Sequence, residues 1–297
     1  VFGEAEPAGR LAETWPLRYE DVPFGSSFGK HIHEVYRESV LVGYRYWLTA
    51  DRPVRYPFGY GLSYTSFAWS DMEIERKEKE IRVTVTVANT GSRDGAEVVQ
   101  LYAAAPGKAV FRPARELKAF RKVYLKAGEN RRVTLMVPLE ELRYWHTTEN
   151  RWVMEPGVYA FQLCSDCRTV KLEKTLTLEG EELPAVYAPE LMEIYGGAQL
   201  NRVTDGVAEK LLGHPIPAEP THRPMTTESP FADLQQSFMG RILYGAVMSV
   251  AEKQRRKGEA MPEGPERDNT LKGALFLKRI MGSNSLRSMS MSAGRSF

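Results

Sequence analysis

The sequence predicts a mainly β protein built around a two-sheet β-sandwich of immunoglobulin type. Two observations carry the prediction. Ile81, Val83, Val85 and Val87 alternate with Arg82, Thr84 and Thr86, the period-2 pattern of a strand with one buried face. Short runs of this kind then follow one another over about 110 residues, with turn residues and no helical pattern between them.

Each element is justified in turn. Asn89-Thr90-Gly91-Ser92 supplies the turn after the first run, and Glu97-Val98-Val99-Gln100-Leu101-Tyr102 is the next strand. Ala127-Gly128-Glu129-Asn130 turns the chain into a strand in which Val133, Leu135 and Val137 alternate. Glu155-Pro156-Gly157 punctuates before Val158–Leu163, and the last strand, 171–178, puts Leu172, Leu176 and Leu178 on one face. Residues 1–66 have a different texture, rich in Gly, Pro and aromatics. Residues 181–297 begin irregular and Pro-rich, turn helical, and end rich in Ser, Met and Gly. No internal repeat is visible.

One helix is expected in that last zone, near 230–257. Ser229 reads as its N-cap and Pro230 as its first residue. Phe231, Leu234, Phe238, Ile242, Ala246 and Val250 form an apolar stripe at spacings of 3 or 4. Arg255, Arg256 and Lys257 ahead of Gly258 read as its end. The stripe has to be buried, most economically against the rest of the polypeptide; docking on a membrane surface is the lesser reading.

Composition narrows the function classes. A length of 297 residues suggests roughly two domains. Lys and Arg number 40 against 38 acidic residues, a net charge of +2 that argues against a dedicated nucleic-acid binder. No apolar run is long enough to cross a bilayer, and two cysteines cannot make a disulfide scaffold. The opening Val1-Phe2-Gly3-Glu4 lacks an initiator Met and any signal-peptide character, so the chain reads as a piece of a longer protein. Its compartment, cytoplasmic or secreted, stays open.

Several motifs in the right order carry a resemblance. Val1–Leu11, Tyr36-Arg37-Glu38, and Val42-Gly43-Tyr44-Arg45-Tyr46-Trp47 form the first group. Pro57-Phe58-Gly59-Tyr60-Gly61-Leu62-Ser63-Tyr64-Thr65 is the most specific, and Val87–Gly91, Glu97–Tyr102 and Glu116–Phe120 follow it. In these the chain resembles the C-terminal region of family 3 glycoside hydrolases, the β-glucosidase and β-xylosidase group. The resemblance implies an α/β sandwich domain ending in residues 1–66, a fibronectin type III-like domain over 67–180, and an extension over 181–297. It also implies an enzyme that hydrolyses terminal β-glucosides or related β-glycosides with two carboxylates. Its nucleophile Asp, on a TIM-like barrel, and its acid/base Glu would both lie upstream of Val1. On that basis no catalytic residue and no metal or cofactor is expected here, and substrate-binding residues stay unassigned. The whole enzyme's partner would be a β-linked glucoside or oligosaccharide, with neither nucleic acid nor membrane; homo-oligomerisation is left open. The alternative is a freestanding fibronectin-like binding module, which would have no use for the motifs between Gly3 and Trp47.

Individual side chains divide between chemistry and packing. Glu13, Asp21, Glu34 and Glu38 precede the sandwich and read as solvated or salt-bridging carboxylates, with Glu38 and Arg45 a candidate ion pair. Tyr36, Tyr44, Tyr46, Trp47, Tyr56, Phe58 and Tyr60 suit a domain junction better than a sugar platform, and Gly43, Gly59 and Gly61 suit tight turns there. Cys164-Ser165-Asp166-Cys167 reads as two thiols on a turn, with a disulfide as the minority reading. His31 and His33 share a face if extended but lack further ligands for a metal. Arg267, Lys272, Lys278, Arg279, Arg287 and Arg295 against Asp268 make a basic end, read as a solvated or disordered tail.

Overall fold

The computed structural model describes residues 4–28, 31, 34–218 and 225–292. The chain divides into two compact units, Val1–Pro217 and Ala218–Phe297.

The first unit begins with β1 (Trp15–Pro16), α1 (Tyr44–Thr49) and β2 (Val54–Tyr56). Seven longer or core strands follow, interrupted by one small hairpin. These are β3 (Phe67–Arg76), β4 (Glu80–Asn89), β5 (Gly95–Ala104), β6 (Glu116–Leu125) and β7 (Asn130–Pro138). The hairpin is β8 (Tyr144–His146) with β9 (Arg151–Val153), and β10 (Gly157–Cys164) and β11 (Val170–Leu178) complete the set. Two antiparallel sheets result, ordered β11-β10-β5-β6 and β3-β4-β7. Their facing residues form one core, with Ile81, Val83, Val85 and Val87 from β4 meeting Val99 and Leu101 of β5 and Tyr159 and Phe161 of β10. The alternation in the sequence points into this core, as a pleated strand with one buried face requires.

Two of the seven sandwich strands, β3 and β6, are not signalled by the sequence pattern, nor are the short β1, β2, β8 and β9. Alternation in β3 breaks where Phe67 and Trp69 give way to Met72 and Ile74, because the pairing with β4 shifts between Ser70 and Glu73 and Asp71 sits at φ 53°. β6 buries only Val123 and Leu125 fully, and exposes Phe120 and Tyr124 together with Arg121 and Lys122, so its polarity does not alternate cleanly.

The first part of the C-terminal zone joins this unit. α2 (Pro189–Gly196) and α3 (Asp205–Leu212) bury Leu191, Ile194, Tyr195, Val207 and Ala208 with Leu41, Tyr46 and Trp47 in a second core. Phe111, from the loop between β5 and β6, stacks on Tyr195 at 4.9 Å. That loop is held by the buried Glu155 carboxylate, which accepts from the backbone N–H groups of Gly107, Lys108 and Ala109.

The second unit corrects several expectations. α4 runs Phe238–Glu259, not from Pro230, and its N-cap is Ser237, whose Oγ accepts from Gly240 N at 3.0 Å. Ser229 and Pro230 instead precede a 3-10 turn, Phe231–Gln236, and pair with the chain around Ser285. Of the expected stripe Phe231 is buried, stacked on Tyr244, but the part on α4 faces the wrong way for burial. Phe238 is 70% exposed, and Ile242 and Val250 are also exposed, whereas the residues α4 buries are Gly240, Ala251 and Gly258. The helix ends within two residues of the expected place, with Arg256 and Lys257 in its last turn, but Gly258 lies inside it and packs against Leu271 of α5 (Pro265–Ser283). Small residues let the two helices approach, so shape rather than hydrophobicity selects the packed face. The expected single helix becomes α2 to α5 and a final α6 (Leu286–Ser292). Of the basic end, Lys272, Lys278, Arg279 and Arg287 are exposed on α5 and α6, a solvated and helical rather than disordered arrangement, and Arg295 lies outside the described residues.

Candidate functional site

The segment from Tyr44 to Tyr60 lies against the outer face of β5. This explains why β5 is buried on both sides: Val99 and Leu101 face the core between the sheets, and Gln100 and Tyr102 face this segment. Tyr44 stacks on Phe58 with centroids 4.8 Å apart and meets Tyr102 edge-on at 6.0 Å. Both geometries are favourable for aromatic quadrupoles.

Polar groups close the seam. Gln100 Nε2 donates to Ser165 O at 2.7 Å and to Gly59 O at 3.3 Å, and the Tyr102 hydroxyl donates to Gln100 Oε1. Tyr44 Oη accepts from Leu117 N at 2.9 Å, and Thr49 Oγ1 accepts from Ala114 N at 2.9 Å. Arg168 donates from Nη2 to Trp47 O at 2.9 Å and also reaches Arg52 O, tying the end of α1 to the β10–β11 turn. Burial pushes the Tyr44 and Tyr102 hydroxyls above the ordinary tyrosine range. Gly59 holds φ +81°, and a Cβ there would run into the Gln100 carboxamide, so glycine is required twice over.

The anticipated ion pair does not form as expected. Arg45 Nε donates to Glu116 Oε1 on β6 at 3.1 Å, not to Glu38, because α1 points that side chain across the seam. Glu38 lies near Tyr195. Glu13 accepts from Trp15 Nε1, Asp21 caps the turn begun at Arg18, and Glu34 is exposed, so the four carboxylates are not gathered into one site. Of the seven aromatics, Tyr44, Tyr46, Trp47, Tyr56, Phe58 and Tyr60 pack in ring pairs, while Tyr36 is exposed. Gly43 has φ +57° at the start of α1.

Cys164 and Cys167 are free, buried thiols packed beside Tyr102. Burial pushes Cys164 up to about 12 and Cys167 up to about 11, with the Asp166 carboxylate adding to both. Asp166 Oδ1 accepts from Arg168 N and Thr169 N, the bonds of a tight turn. His31 is exposed and His33 lies outside the described residues, as do Val1 to Gly3 of the first motif. Among the described residues no cluster of three His, Cys, Asp or Glu could hold a metal ion.

A second feature escaped the sequence analysis. Pro7, Arg10, Trp15, Tyr56, Tyr60 and Leu62 line an open groove of about 490 Å³. Its walls are brought together by pairing of β1 with β2, Trp15 opposite Tyr56, and by the bonds Leu11 N to Tyr60 O and Gly59 N to Leu11 O. The only sequence signal was the density of aromatics.

Comparisons with known proteins agree with this geometry. Residues 97–167 match the fibronectin type III-like domain family. The chain is 41% identical over 184 residues to an exo-α-(1→6)-L-arabinopyranosidase of Bifidobacterium breve, covering 61% of this chain and 24% of that protein. It is 34% identical over 226 residues to thermostable β-glucosidase B of Acetivibrio thermocellus, covering 68% and 30%. Among solved structures, β-glucosidase 3B of Thermotoga neapolitana superposes with a TM-score of 0.55 at 36% identity, over 60% of this chain and 26% of that one. A GH3 β-glucosidase of Bifidobacterium adolescentis gives 0.57 at 31% identity over 82% and 31%. The chain thus spans about a quarter of the length of the curated relatives it matches.

Proposed function

We propose that this chain, the C-terminal region of a family 3 glycoside hydrolase, is the buttress of a retaining glycosidase rather than the bearer of its chemistry. In this reading residues 1–66 close an α/β domain, residues 67–180 are its fibronectin type III-like sandwich, and residues 181–297 are an extension. The Asp nucleophile and Glu acid/base belong to parts of the enzyme outside this chain. A retaining mechanism holds its two carboxyl groups about 5 Å apart on rigid supports, and the contribution of this chain is rigidity.

One observation carries the reading: the seam in which Gln100, Tyr102 and Arg168 fix the segment Tyr44–Tyr60 to the sandwich. Side chains locked by packing and buried hydrogen bonds are what hold a neighbouring site in register. The substrate class is a terminal pyranoside, a β-glucoside or related glycoside, and the arabinopyranosidase relatives make the glycone a point to measure.

The test is release of p-nitrophenol from the β-D-glucoside and the α-L-arabinopyranoside. The 297-residue chain alone is expected to stay at background, and the chain joined to the preceding portion of its enzyme to turn over. Robust turnover by the chain alone that vanishes in Glu38→Gln would overturn the reading.

A further inference from the structure

α4 is apolar on two sides. One side packs: Gly240, Ala251 and Gly258 are buried, and Tyr244 stacks on Phe231. On the far side Phe238, Met239, Ile242, Leu243 and Val250 each stand more than half exposed, with exposed Ala246 among them. At 100° per residue they span an arc of about 140°. Five such side chains offer roughly 500 Å² of apolar surface, a patch of the size that is often functional. Every residue of this face comes from α4, and none from residues 1–66, the segment read above as closing a domain.

The face changes character along its length. Met239, Leu243, Ala246 and Val250 recur at spacings of 4, 3 and 4, and the next two positions of that series are the exposed Lys253 and Lys257. Both acidic residues of α4 are engaged elsewhere, Glu252 with Arg255 and Arg256, and Glu259 with Arg255. Arg241, Lys253 and Lys257 on α4 and Lys272, Lys278 and Arg279 on α5 are exposed, and none has an acidic partner among the described residues.

We propose that this face of α4 is a peripheral docking surface for an anionic lipid bilayer, with Phe238, Ile242 and Leu243 entering between headgroups and Lys253 and Lys257 meeting the phosphates. A wide apolar arc continued by unpaired basic residues is what an interfacial helix presents, and its lysines reach headgroups along their methylene stems. Charge selects this occupant over a second copy of the chain. In a parallel pair of α4 helices Lys253 and Lys257 would face themselves, and in an antiparallel pair they would face the positive N-terminal end of the partner helix. An anionic surface meets the same cations with the opposite sign, at about fivefold in affinity for each basic residue close to it. Burial of the stripe is the argument from sequence against a membrane, and its exposure removes that argument. Among the described residues no helix is long and apolar enough to cross a membrane, and the contact proposed lies at its surface.

The test is flotation of the 297-residue chain with vesicles of equal parts phosphatidylcholine and phosphatidylglycerol, and with vesicles of phosphatidylcholine alone. The chain is expected to bind the anionic vesicles at least tenfold more tightly than the neutral ones, and to lose most of that difference in high salt. Ile242→Glu, which charges the apolar arc, and the double change Lys253→Glu with Lys257→Glu should each weaken binding at least tenfold. Lys174→Glu, at an exposed position on β11, should bind as wild type, and circular dichroism melts establish that each variant is folded. Failure of the wild-type chain to float with anionic vesicles overturns the proposal, as does binding that survives in both α4 variants. A dimer in sedimentation equilibrium that Ile242→Glu dissolves, without vesicle binding, would assign the face to a second copy and overturn it likewise. None of these readouts depends on hydrolysis, so the proposal can fail while the glycosidase reading stands, and the reverse.

Discussion

The Tyr102 hydroxyl donates to Gln100 Oε1 at 2.8 Å, joining two side chains two residues apart on the same face of β5. Both are buried, and Gln100 spends its amide on Gly59 O and Ser165 O. One carboxamide therefore holds three chain segments, and the hydroxyl satisfies its remaining oxygen. Tyr102→Phe leaves that oxygen unpaired at a cost of about 1 to 2 kcal/mol. Gln100→Ala strands several groups and opens a cavity, for about 3 kcal/mol. Urea denaturation of both variants checks the order; equal and negligible losses would mean the seam is open in solution.

Gly59→Ala combines a left-handed backbone with a collision against Gln100. A loss of at least 2 kcal/mol is expected, because neither the strain nor the contact relaxes without moving β5. Gln100→Ala in the Gly59→Ala background should recover part of that loss. An additive double variant would refute the contact.

The two thiols give a pH dependence with a definite sign. Folding raises Cys167 to about 11 and Cys164 to about 12, from about 8.5 in an unfolded chain. The raised values make the protonated form the folded one, so this contribution is fully present below about pH 8.5 and is lost as pH climbs through 11 and 12. Thermal melts should fall over that window, less so in a Cys164→Ala, Cys167→Ala chain. Under native conditions at pH 8 neither thiol should react quickly with Ellman's reagent. Immediate reaction of both would contradict their burial.

Within the second unit, Phe238→Asp should change stability by less than about 0.5 kcal/mol, as exposed positions do. Ala251→Asp buries an unpaired charge on the packed face of α4 and should cost several kcal/mol. Circular dichroism melts separate the two. A severe loss in Phe238→Asp with tolerance of Ala251→Asp would reverse the assignment of the packed face.

Legibility followed the strength of each physical signal. β4, β7 and β10 were readable because one of their faces is fully buried and side chains alternate with period 2, as Ile81 to Val87 show. β3 was hidden by its shifted register at Asp71, and β6 because its exposed face mixes Lys122 with Phe120 and Tyr124 so that polarity does not alternate. The seam was legible only as a density of aromatics. The choice of Glu116 rather than Glu38 by Arg45 depends on a strand distant in sequence, which no local pattern encodes. The α4 stripe misled because Ala251 and Gly258 bury through closeness, while Phe238 and Ile242 have the hydrophobicity but not the contact. Ser237 and Ser229 are both acceptable caps by residue type, and only the 3-10 turn between them decides.

The shifted register at Asp71 also bears on how these molecules meet one another. The four open borders of the sheets are β3, β7, β6 and β11. β3 breaks its regularity at Asp71 and carries Glu73, Glu75 and Arg76; β6 shows Arg121 and Lys122 beside Phe120 and Tyr124; β11 shows Lys171, Glu173 and Lys174. An extended chain arriving at β3 finds charge and a missed hydrogen-bond spacing instead of a template. Pairing of crowded copies of this chain through β3 is thereby discouraged, as it would not be by a long regular edge.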